Sequence, residues 1–254
     1  ALEQFPECHK LFLFPNLFCL DEARLKVLRE KVLRNGNVAI FGPATGITDG
    51  KKLGSDMAEA ATGIPLKFWR KESPRYVSVN RFDHPLTARF SSCVEYGDSH
   101  PYGPLLMPQP HPDVVELGHI QWPVATDGAG LVMREFGKGA SGNGTAGGRG
   151  AGDYASVFTC AMPLPAQLLR EFARYSGTHV YGEDDDLIFA NSRTVTLHSV
   201  HPGKRSVCLP QRSTVWDLIE RRKLGKDLDR IEVDVNPPQT NMYYLGEDDP
   251  FRAV

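Results

Sequence analysis

Two apolar runs of strand length, residues 10–14 and 37–41, flank one amphipathic segment, and that spacing leaves few ways to fold the first fifty residues. Pro15-Asn16 closes the first run. Beyond it, Asp21 and Glu22 place carboxylates where a helix N-terminus attracts them, and Leu25, Leu28 and Val32 recur every three or four residues as far as Asn35-Gly36. The pattern predicts a buried strand, a helix and a second strand, with a right-handed crossover that makes the strands parallel. Ligands of such sheets gather at the carboxyl ends of the strands, here Pro15-Asn16 and Gly42-Pro-Ala-Thr-Gly46.

The alternation continues with a short helix over 53–62 stopped by Gly63, strand candidates at 64–69 and 76–80, and a turn at 84–87. From Ser91 to Pro112 the periodicity fails, and Pro101, Pro104, Pro108, Pro110 and Pro112 predict an ordered surface loop. Residues 114–120 and 130–136 form a predicted hairpin. A last strand at 154–162 leads into a helix over 163–175, with Pro163 in its first turn and Gly177 past its end. That boundary gives a first domain over residues 1–177. The remainder, 178–254, has seven short runs (178–181, 187–190, 194–198, 206–209, 214–216, 231–235 and 242–245) divided by turn residues, the pattern of a small all-β sandwich.

The string from Lys10 to Arg24, the Asn-Gly turn, the second strand and the loop to Asp49 resemble the opening of the beta-galactosidase trimerisation domain. The resemblance implies an α/β, flavodoxin-like module, related in fold to class I glutamine amidotransferases, with a mostly parallel sheet flanked by helices. The strand, Pro-Leu-Pro, helix, Gly ending near Gly177 is similar to the close of the same module. Asn191-Ser-Arg193, Leu197-His198, the run from Gly203 to Pro210 and Val215-Trp-Asp-Leu218 resemble the C-terminal sandwich domain of barrel glycosidases. Together these imply the non-catalytic C-terminal region of a family 42-type glycoside hydrolase, whose partners are its own N-terminal catalytic barrel and further copies of itself, a trimer above all. Ala1 in place of Met, and a core strand starting within the first dozen residues, fit an excised piece of a longer chain. The alternatives are a free-standing carbohydrate- or protein-binding module and an amidotransferase-like hydrolase using Cys93.

Composition narrows the partners. A formal net charge of -2, with 24% charged and 41% hydrophobic residues over 254 positions, offers no cationic excess for nucleic acid or an anionic membrane. No apolar run reaches bilayer-spanning length, and no targeting signal fixes a compartment. Cys8, Cys19, Cys93, Cys160 and Cys208 are scattered, without a C-x-x-C pair, and read as buried free thiols. No cofactor is expected: Gly142-x-Gly144-x-x-Gly147 matches the dinucleotide pattern, but the strand predicted after it cannot aim a helix N-terminus at a pyrophosphate.

The amidotransferase kinship directs attention to a Cys-His-Glu triad, yet Cys93 has no glycine before it and no helix after it, and His111-Pro-Asp113 follows too soon. Glu95, Glu116, Glu135 and Asp153 are carboxylates without a spacing that pairs any two across one pocket, as a retaining glycosidase requires. Glu183-Asp-Asp-Asp186 lacks the interleaved spacing of a calcium loop and reads as a solvated turn, and His198 with His201 lack the helix that would pair them on zinc. Aromatic side chains remain as the candidate carbohydrate-binding surface, because an indole stacks on the apolar face of a sugar. Trp122, Tyr102 and Trp69 are the residues nominated.

Overall fold

The computed structural model describes residues 8–121, 128–137 and 151–252, which form two compact units, 1–178 and 179–254. In the first, β1 (Leu11–Phe14), α1 (Glu22–Lys31) and β2 (Asn37–Phe41) follow the predicted order. The Asp21 side chain caps α1 by accepting from the Arg24 N–H at 2.8 Å, and Leu25, Leu28 and Val32 are buried on one face. β1 and β2 pair in parallel, Leu11 against Val38. β2 is buried at all five residues, whereas β1 lies at the sheet edge with Leu13 42% exposed, so the expectation of a buried first strand is corrected.

Seven strands make the main sheet, in the order β1-β2-β9-β8-β7-β4-β5, where β4 is Ser73–Val79, β5 Val94–Tyr102, β7 Val114–Gln121, β8 Ala129–Phe136 and β9 Tyr154–Thr159. β9 runs parallel to β2, and every further pairing is antiparallel. This overturns the helix-flanked, flavodoxin-like and amidotransferase-like α/β fold. Fourteen strands and three helices are found among the described residues, and the sheet is mixed. Only the parallel strands need crossover helices. Accordingly α2 (Asp56–Thr62), stopped by Gly63 at φ 65°, packs near β9 and α1, and α3 (Ala166–Ser176) packs on β1 and β2. Pro163 precedes α3 instead of occupying its first turn; Pro165 is the N-cap.

The proline-rich segment is the second correction. It holds all of β5 and of β6 (Leu105–Pro108), which pairs with β3 (Leu66–Trp69) as a separate two-stranded ribbon packed on β8. Pro101 is tolerated because β5 is an edge strand, and Pro108 because the ribbon leaves one side of β6 unpaired. Prolines that break a central strand mark edges here.

The second unit is one five-stranded antiparallel sheet, β10-β11-β14-β12-β13, and not the expected sandwich of seven short strands. β10 (Leu187–Ala190), β11 (Thr194–Ser199) and β14 (Gln239–Leu245) match predicted runs, but two runs merge into the bulged β12 (Gly203–Asp217) and β13 lengthens to Arg222–Val235. No strand forms at 178–181. Val195, Leu197, Val207, Val215, Ile231 and Tyr243 share one core cluster, against which Ile188 of β10 packs. Residues from both edges of a single sheet meet there, so the sheet curls on itself.

Gly97 lies in β5 at φ 137°, where an added Cβ would stand 1.9 Å from the Arg75 carbonyl oxygen. Both the dihedral and the close approach demand glycine. Gly97→Ala is expected to destabilise the first unit by about 3 kcal/mol, measured by urea unfolding, and an effect within the error of the wild-type curve would show that β5 adjusts freely.

Candidate functional site

The carboxyl ends of β1 and β2, where a parallel sheet would hold its ligand, are closed by their own loops. The Gly42 N–H donates to the Phe14 carbonyl at 3.0 Å, the Gly46 N–H donates to the Leu17 carbonyl at 2.7 Å, and a Cβ on Gly42 would meet the Pro15 oxygen at 2.4 Å. The cavity left beside Gly46 and Asp49 is about 10 Å³. That holds roughly one water.

A much larger groove, about 1130 Å³, opens on the antiparallel side of the first unit. Its lining comes from β3, β6, β7, β8 and Asn80 just past β4, with Trp69, Met107 and Ile120 among the apolar contributors and His111, Glu116 and His119 among the polar ones. His111 Nδ1 accepts the Asp113 N–H at 3.1 Å, which leaves the ring proton on Nε2. Trp69 is held by two cations: the Lys71 ammonium lies 5.6 Å and the Arg75 guanidinium 5.4 Å from an indole ring centroid.

The nominated aromatics therefore separate. Trp69 lines the groove. Tyr102 does not; its hydroxyl donates to the Cys160 carbonyl at 2.7 Å, and burial raises its pKa. Trp122 lies outside the described residues, as does most of the glycine-rich segment. Of the four carboxylates, Glu116 lines the groove, Glu135 accepts from the Tyr175 hydroxyl on α3, Asp153 is buried, and Glu95 is exposed on β5.

Cys93 is exposed, with Sγ 2.8 Å from the Ser78 hydroxyl, and it precedes a strand. It does not stand at a helix N-terminus, and the contact with a histidine base that an amidotransferase-like hydrolase needs is not formed among the described residues. In the acidic turn, Asp186 accepts from the Ser199 hydroxyl at 2.6 Å and pairs with Arg205, so it is not the solvated carboxylate expected. Among the described residues no group of three His, Cys, Asp or Glu is placed to hold a metal ion, and no helix is long and apolar enough to cross a membrane. Sequence reasoning weighed His111 and Glu116 singly and missed His119, and it could not see the groove that joins all three, since pairing between strands some forty residues apart assembles it.

The architecture matches solved structures. Over 93% of this chain it resembles the beta-galactosidase from Bacillus circulans sp. alkalophilus, with a TM-score of 0.59, 9% sequence identity and 33% of that chain covered. Over 92% it resembles the beta-galactosidase from Rahnella sp. R3, with a TM-score of 0.53, 11% identity and 32% of that chain covered. The chain has the fold of part of a beta-galactosidase. It spans about a third of the length of those enzymes. No protein-family model and no curated protein matches the sequence.

Cysteine chemistry gives a direct check on the interior beside the groove. Burial pushes the Cys160 thiol from 9.0 up to about 12, so folding holds a proton that the unfolded chain releases earlier. The stability from that neutral thiol is full below pH 9 and falls as pH rises from 9 through about 12. Replacement by Cys160→Ala should flatten this alkaline loss, followed by urea midpoints at pH 8 to 11. In the native chain iodoacetamide should modify Cys93 and spare Cys160, as read by peptide mass; equal labelling would mean that Cys160 is open to solvent.

Proposed function

We propose that this chain is the accessory, non-catalytic region of a glycoside hydrolase resembling beta-galactosidases, serving subunit assembly and walling the carbohydrate cleft of a catalytic barrel carried elsewhere in the parent enzyme. One observation carries the reading: the likeness extends over nearly all of this chain yet accounts for only 33% of a beta-galactosidase. A segment that makes up a third of such an enzyme fits an accessory region better than a complete hydrolase. The spread of Glu95, Glu116, Glu135 and Asp153 over separate surroundings supports the same view, because a retaining glycosidase holds two carboxylates about 5 Å apart.

Exposed apolar side chains support the assembly role. β10 is an edge strand, and its alternate residues Leu187 and Phe189 are 59% and 67% exposed while Ile188 between them packs into the core. Edge strands normally carry charge or proline against unwanted pairing. In the first unit Phe18 and Leu53 are 49% and 51% exposed. Such surfaces fit burial against another chain or the rest of the same one.

Light scattering from about 1 to 100 µM protein should return a closed oligomer, a trimer of the 28.1 kDa chain, that persists on dilution. Leu187→Asp with Phe189→Asp should shift it to monomer without moving the melting temperature. A monomer at every concentration would remove self-assembly from the reading.

The second reading, a free-standing carbohydrate-binding module, is favoured by Trp69 in the wall of the groove. Titration with lactose separates the two. A cleft wall acting only beside its barrel predicts affinity weaker than about 1 mM; tighter binding that Trp69→Ala abolishes would establish the module.

A further inference from the structure

Two dimensions of the groove set the size of what can fill it. Its volume, about 1130 Å³, passes the upper end of ordinary small-molecule pockets, about 1,000 Å³. Its lining follows β7 from Val114 to Ile120, and at the rise of an extended strand those residues span about 20 Å. A disaccharide is shorter than that and leaves most of the volume empty.

The walls offer side chains and not a strand edge. Lys67 and Met107 are register partners across the ribbon, Trp69 shares their face two residues on, and all three line the groove. On β7, register shifts on either side of Gly118 let both Glu116 and His119 reach it. An extended peptide captured by strand addition needs a row of free backbone N–H and C=O groups. A ligand in this groove meets the faces of strands, so side chains have to recognise it.

Those side chains have hydrogen-bonding capacity to spare. Among the described residues, Lys67, Asn80, Glu116 and His119 form no side-chain hydrogen bond, and each is at least partly exposed and so solvated in the free chain. They supply an ammonium with donors only, a carboxylate with acceptors only, and an amide and an imidazole with both. Hydroxyl groups, each a donor and an acceptor, can answer all four. One ammonium against one carboxylate leaves the lining without a fixed charge of either sign, which favours neither an anion nor a cation. Trp69 adds a platform for the apolar face of a sugar ring. Arg75, 1% exposed, holds that indole from the interior, while Lys71 is exposed and its ammonium can give way to a stacked ring.

We propose that the groove binds a neutral oligosaccharide longer than a disaccharide, laid along β7 with one ring on Trp69 and its hydroxyls on Asn80, Glu116 and His119. The proposal rests on the carbohydrate reading of this chain and adds to it the class and the length of the ligand. Each further ring replaces wall water by hydroxyl contacts, so affinity grows with chain length until the groove is full.

The test is isothermal titration of residues 1–254 with β-1,4-linked oligosaccharides of galactose, glucose, xylose and mannose, each from two to six rings. At least one series should tighten by about tenfold or more between its shortest and longest members. Trp69→Ala and Glu116→Ala should each remove most of that gain; should the Trp69 variant fail to fold, Glu116→Ala, on an exposed part of the wall, carries the test alone. Disaccharides bound as tightly as six-ring chains would overturn the proposal and leave the carbohydrate reading standing. A gain with length that neither variant reduces would place the site elsewhere and overturn it too. No binding by any member of the panel would also overturn it, while the assembly reading would still be decided by light scattering.

Discussion

Strand β2 is the constraint on which the first unit rests. It is buried at every residue between β1 and β9, with Val38 to Phe41 aligned on Leu11 to Phe14 on one side and Asn37 to Phe41 on Tyr154 to Phe158 on the other. Each large side chain enclosed there contributes about 1.5–3 kcal/mol. The more important consequence is topological. β9 is late in the sequence but third in the sheet, so its pairing with β2 ties the first fifty residues to the last strand of the unit. Every antiparallel strand then hangs from the far side of β9 through β8.

The change of direction between β9 and β8 divides the unit into halves with different cover and different openings. Parallel strands require crossovers, and their loops fold over the strand ends tightly enough that Gly42 touches the Pro15 backbone. The antiparallel strands are covered in part by the β3–β6 ribbon, whose strand pairing is confined to itself. The large groove therefore opens beside the ribbon and not at the strand ends. A site search guided by the parallel pattern alone looks at the closed side.

The legible parts of this chain are local. Asp21, the Leu25–Leu28–Val32 stripe and the glycines after α2 and α3 specify helices within a few residues, and the β2 run is strand by its own composition. What escaped was set by distant partners. The prolines between 101 and 112 signal a loop until β5 is known to be an edge, and β12 reads as two strands because its bulges interrupt the alternation without ending the pairing. The resemblance pointed to enzymes that share this fold and to the wrong sheet, since a strand, a helix and a strand open many α/β units whatever follows. Trp69 was nominated for its type; its place in the groove depends on β3 meeting β6, which no local pattern states.

Arg75 shows how register can force a costly residue inward. It occupies the face of β4 that carries Val77 and Val79, both 0% exposed, and the β4–β5 ladder shifts register just before it, close to where Gly97 approaches its carbonyl. Slipping β4 by one residue would free the guanidinium but expose both valines, so the strand cannot release one without the other. Replacing a buried unpaired cation by an apolar side chain of similar volume generally stabilises a protein. What the structure sets against that cost is the indole of Trp69, which lies 5.4 Å from the guanidinium and engages the enclosed charge.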